Sequence, residues 1–157
     1  MALLHTPAIQ ISVRAAVAAG LAFWIAELLH AEFAIYALVG AVIVTDLSPA
    51  MTRRLGLQRM AGTLIGAMTG AVLCYVLPVG PVALGVAILL SMLATYLLRL
   101  EPAAARVAGY VAAIVIFTYR QDPWHYAFAR AWETLVGIGS ALLVGLVPPW
   151  LRERDDA

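Results

Sequence analysis

Between Ile9 and Leu29 the chain carries only two charged residues, Arg14 and Glu27, and further apolar runs follow it to the C-terminus. As a helix, a run of that length covers roughly 30 Å at about 1.5 Å per residue, the thickness of bilayer hydrocarbon. Composition agrees. Hydrophobic residues make up 64% and charged residues 12%, with a mean hydropathy of +0.93, against about 45–50% apolar and about 25% charged in soluble domains. The surplus has no place in a soluble core, so the bilayer is the solvent.

The remaining runs give the other spans. Phe33 to Thr45 is short and ends in Asp46-Leu-Ser-Pro49, which stops a helix. A third span runs from about Leu57 to Leu77, and Pro78-Val-Gly-Pro81 turns it into a fourth, Val82 to Leu98, so these two form a hairpin. After Arg99-Leu-Glu101-Pro102 a fifth, again short, runs from about Val107 to Tyr119, and Phe128 to Trp150 forms the sixth. A charged tail, Arg152 to Ala157, closes the chain. The expected fold is an all-α membrane protein of six transmembrane helices forming one membrane domain over 1–157.

Arginine counting orients it. With a cytoplasmic N-terminus, Arg14, Arg53, Arg54, Arg59, Arg99, Arg106, Arg152 and Arg154 lie inside and only Arg120 and Arg130 outside. That favours both termini in the cytoplasm of a multi-pass protein. The first run is too long for a cleaved signal peptide, and Arg14 lies within it rather than before it. Trp24, Trp124, Tyr126 and Trp150 fall near span ends, as headgroup anchors do.

Several function classes drop out. Net charge is +1 and Lys is absent, so there is no nucleic-acid footprint and no P-loop lysine. His5, His30 and His125 are scattered and Cys74 stands alone, so no metal cluster is expected. Ser140 lacks the G-x-S-x-G surroundings of a nucleophile elbow. The chain is expected to be no enzyme and to need no cofactor.

The chain also resembles itself. Shifted by 71 positions, Arg59 falls on Arg130, Thr63 on Thr134, Gly66 on Gly137, Val76 on Val147 and Pro78 on Pro149. The short second and fifth spans correspond too, giving three spans per repeat, about 9–77 and 79–150. An odd number turns one copy over relative to the other, and inverted repeats of this kind are a transporter architecture. Gly62, Gly66 and Gly70 in the third span, and Gly137, Ala141 and Gly145 in the sixth, recur every fourth residue. Such a stripe lets two backbones approach closely, so helix packing is the expected role.

Charge inside hydrocarbon costs at least ~2.5–3.5 kcal/mol at a helix centre, which draws attention to Arg14, Arg59, Arg130 and Glu133. Arg14 and Arg59 lie close to span ends, where their side chains can snorkel to headgroups or line an anion path. Arg130 opposes the orientation rule, and Glu133, three residues on, shares its helix face. The pair is either a structural ion pair or an anion-binding Arg held by a carboxylate. Thr63 and Thr134 follow Arg59 and Arg130 by one turn, where a hydroxyl serves the same ligand or bonds its own backbone.

Arg59-Met-Ala-Gly-Thr-Leu-Ile-Gly66 resembles the R-x-x-G-T-x-x-G signature of the fusaric acid resistance and aromatic acid exporter group. Arg130-Ala-Trp-Glu-Thr-Leu-Val-Gly137 is similar to its second motif, R-x-x-E-T-x-x-G, and the group's plant relatives include aluminium-activated malate transporters. The resemblance covers nearly the whole chain, including the opening Arg14-Ala-Ala-Val-Ala-Ala-Gly20. It implies two inverted three-helix repeats, assembled as a homodimer or higher homo-oligomer, that carry small organic or aromatic carboxylates across a bacterial inner membrane along a path through Arg14, Arg59, Thr63, Arg130, Glu133 and Thr134. The alternative is a non-transporting membrane subunit that anchors or regulates a partner.

Overall fold

The computed structural model describes residues 6–119 and 121–147. They form six helices, α1 (Thr6–Leu28), α2 (Ala34–Val44), α3 (Pro49–Val76), α4 (Pro81–Leu97), α5 (Pro102–Thr118) and α6 (Pro123–Gly145), with no strand among them. The protein is an all-helical membrane protein. Arg120, Pro149, Trp150 and the Arg152–Ala157 tail lie outside the described residues.

Proline sets the helix starts. Pro49, Pro81, Pro102 and Pro123 are each the first residue of a helix, where the missing N–H is one that has no intrahelical partner anyway. Three helices therefore begin earlier than their apolar runs suggest: α3 at Pro49 rather than Leu57, α5 at Pro102 rather than Val107, and α6 at Pro123 rather than Phe128. Side chains complete two of these starts. The Met51 N–H reaches Ser48 Oγ at 3.5 Å and the Ser48 N–H donates to Asp46 Oδ1 at 2.9 Å, while the His125 N–H donates to Asp122 Oδ1 at 3.2 Å.

Lengths then separate the spans. By length and composition α1, α3 and α6 can cross a bilayer, whereas α2 has 11 residues and α4 and α5 have 17 each. Only α2 is markedly short; the five residues before Val107 make α5 the equal of α4. The first helix of each expected repeat ends alike. His30 after α1 (φ 53°) and Arg99 after α4 (φ 57°) are left-handed, and Ala31 N–H to Ala26 O (2.8 Å) and Leu100 N–H to Thr95 O (3.1 Å) close the same Schellman cap.

The chain divides into two compact units, one of residues 1–56 with 135–157 and one of residues 57–134. In the first, α1 packs on α2, and Ala18, Ala22, Ala26, Ala37, Ala41 and Ala141 build a core of small side chains. In the second, α4 packs on α5, and Leu90 of α4 shares a pocket with Met68 to Leu73 of α3, as a hairpin requires. Burial is the reverse of a soluble protein's. Val82, Leu97 and Phe117 are 70–84% exposed, whereas Arg14, Arg59, Arg130 and Glu133 are at most 3% exposed.

The glycines show which helices meet. A Cβ at Gly62, Gly66 or Gly70 would strike the backbone of Ala104, Ala108 or Ala112, so α3 rests against α5 within the second unit. A Cβ at Gly137 would strike Ala37 and Ala41 of α2 within the first. The offset of 71 that maps Gly66 onto Gly137 also maps Ala37 onto Ala108. The third helix of each expected repeat thus packs on the middle helix of the other, so the compact units cut across the expected bounds 9–77 and 79–150. Gly145 departs from the expected packing stripe, since a Cβ there meets nothing within 4 Å.

Candidate functional site

Five of the six residues singled out for an anion path lie in the second unit. Arg59 and Thr63 sit one turn apart on α3, and Arg130, Glu133 and Thr134 lie on α6. Because α3 starts at Pro49, Arg59 is well inside the helix rather than near its end. At 3% exposure its side chain does not snorkel to a surface. Gln58 ties this stretch to the start of α5, its Oε1 accepting the Glu101 N–H at 3.3 Å.

The Arg59 guanidinium is the least satisfied group there. Its three nitrogens make no well-formed hydrogen bond; the Tyr110 hydroxyl is a loose hydrogen-bond partner, and Arg130 lies within electrostatic reach. The Thr63 hydroxyl, 1% exposed, lacks a partner. A buried donor left so costs about 1–3 kcal/mol, and a charged one more. Two buried cations in mutual reach need negative charge, and Glu133 supplies one carboxylate on the Arg130 face, buried to 1% exposure. Thr134 behaves differently. Its Oγ1 donates to the Arg130 carbonyl at 2.7 Å, bonding its own backbone.

Arg14 belongs to the first unit and does something else. Its Nη1 donates to Leu47 O at 3.1 Å, just past the end of α2, and its Nη2 donates to Val147 O, just past the end of α6. A cation that takes carbonyls beyond two helix C-termini suits their dipoles. It too is buried, at 2% exposure.

Two site residues escape the sequence reading. Tyr110 of α5, beside Arg59, gave no signal beyond being an aromatic hydroxyl in an aliphatic helix. Tyr126, read above as a headgroup anchor, is 1% exposed and stacks on Tyr119 with centroids 3.9 Å apart and planes at 11°. Its place four residues before Arg130 was the available clue. Trp24 and Trp124, at 63% and 40% exposure, do face outward.

Guanidinium and hydroxyl groups are donors of the kind that suit an anion. Among the described residues no three His, Cys, Asp or Glu side chains gather to hold a metal. No curated protein and no solved structure matches the chain. A model of the fusaric acid resistance protein-like family matches residues 21–144.

Proposed function

The chain belongs to the fusaric acid resistance protein-like family and is a membrane transport protein, and on that premise we propose that it carries small organic or aromatic carboxylates across a bacterial inner membrane, with both termini cytoplasmic. What carries this reading is Arg59, a buried guanidinium with donors to spare beyond its loose contact with the Tyr110 hydroxyl, beside a second buried cation, Arg130. A carboxylate entering there gains charge-assisted bonds from the spare Arg59 donors. Glu133, on the Arg130 helix face, competes with it for that cation.

In this reading the two Arg-x-x-x-Thr elements are equivalent positions of an inverted repeat, met in turn as the anion crosses. The working form is a homodimer or higher homo-oligomer, with lipid and the substrate anion as its other partners. Purified protein in liposomes should take up benzoate. Arg130→Ala should abolish that flux, Arg130→Lys should restore it only in part because a point charge lacks the planar fork, and both should insert normally. Wild-type flux through well-folded Arg130→Ala would reduce Arg130 to a structural ion-pair partner and end the proposal.

A further inference from the structure

Beside the polar cluster the second unit holds a pocket of about 250 Å³ between α3 and α6 that no step above uses. Leu64, Ala67, Met68, Trp124, Ala127 and Phe128 line it. All these side chains are apolar, and the volume falls just below the about 300–1,000 Å³ of drug-sized ligand pockets. Its rim is open: Phe128 is 75%, Met68 57% and Leu64 43% exposed. Its floor is small and closed, with Ala67 at 2% and Ala127 at 8%.

The floor connects it to the cations. Ala67 stands one turn beyond Thr63 on α3, and Ala127 stands three residues before Arg130 on α6. At about 1.5 Å per residue the pocket begins roughly 4–6 Å along the helices from Thr63 and Arg130. A wholly apolar cavity offers nothing to a hydrophilic anion. It offers a great deal to an anion with an apolar body, whose burial contributes about 0.8 kcal/mol per CH₂.

We propose, resting on the carboxylate reading above, that this pocket is an apolar subsite for an amphiphilic monocarboxylate whose head lies at Arg130 and Thr63. The body is about one helical turn long, the size of a medium aliphatic chain or a single ring. Such an anion reaches the site from the exposed apolar rim.

The test uses binding as well as flux, in a Trp24→Phe, Trp132→Phe, Trp150→Phe background that leaves Trp124 as the only tryptophan. In detergent, 6-bromohexanoate should quench Trp124 saturably and be displaced by hexanoate but not by acetate. Ala127→Leu, which fills the pocket, should weaken that binding at least tenfold. Phe128→Ala, which removes a mostly exposed rim side chain and so spares the fold, should weaken it at least threefold. In liposomes both variants should raise the hexanoate KM and leave the acetate KM within twofold. Quenching that does not saturate, or that both variants leave unchanged, means the pocket holds only lipid and overturns the subsite. Saturable quenching in a protein that moves no carboxylate would keep the subsite and sink the transport reading instead.

Discussion

Thr63 and Thr134 each follow an arginine by four residues, yet their hydroxyls are treated in opposite ways. Thr134 Oγ1 bonds the Arg130 carbonyl at 2.7 Å, while the Thr63 hydroxyl is buried without a partner. Replacing an unsatisfied buried hydroxyl by a methyl group removes a desolvation cost, so Thr63→Val should raise stability by about 1 kcal/mol, whereas Thr134→Val should lower it by about 0.5 kcal/mol. Thermal unfolding in detergent checks both. Thr63→Val should also raise the KM for anion uptake. Equal destabilisation by the two changes would mean that the Thr63 hydroxyl is already satisfied. Arg14 illustrates the same point for charge. Its two terminal nitrogens are spent on Leu47 and Val147 carbonyls, whereas Arg59 has only a loose contact with the Tyr110 hydroxyl.

At the scale of helices, glycine decides how closely two backbones come. Gly66 and Gly137 rest against Ala108 and Ala37 backbone, while a Cβ at Gly139 meets nothing within 4 Å. A methyl group forced against backbone cannot be relieved by turning a side chain. Gly66→Ala and Gly137→Ala should each cost about 1–3 kcal/mol by overpacking. Gly139→Ala, on the same helix as Gly137, should stabilise by about 0.5–1 kcal/mol, because a helix-interior glycine is replaced with nothing in the way. Chemical denaturation of the three variants distinguishes a packed stripe from a lipid-facing one. If Gly66→Ala and Gly139→Ala behave alike, the close approach of α3 to α5 is wrong.

For the whole molecule the decisive property is topology, which depends on how the expected repeats lie in the bilayer. Ser48 and Gln121 are both exposed in connections, before α3 and before α6. In a Cys74→Ala background, Ser48→Cys should react with a membrane-impermeant thiol reagent only from the cytoplasmic side and Gln121→Cys only from the outer side. The argument is the arginine excess on the Ser48 side. Labelling of both from one side would remove the inversion and, with it, the equivalence of Arg59 and Arg130 as positions approached from opposite faces.

Much of this was legible in the sequence because hydropathy and helix-start chemistry are local. The apolar runs gave the six helices, and Pro49, Pro81, Pro102 and Pro123 stood at starts that the apolar boundaries misplaced, since a helix extends into polar residues as long as its first turn is capped. The Arg-x-x-x-Thr motifs and the glycine stripes were visible as spacing. What each of them touches was not. That Gly66 meets Ala108 and Gly137 meets Ala37 depends on which helices pack together, and in lipid no hydrophobic driving force writes that choice into the pattern. The same holds for Tyr110 beside Arg59, for the buried Tyr126, and for Arg14 closing the ends of α2 and α6. Spacing along one helix fixes which face a residue shares; only the tertiary structure brings a second helix to that face, and with it the satisfied or unsatisfied state of every buried charge.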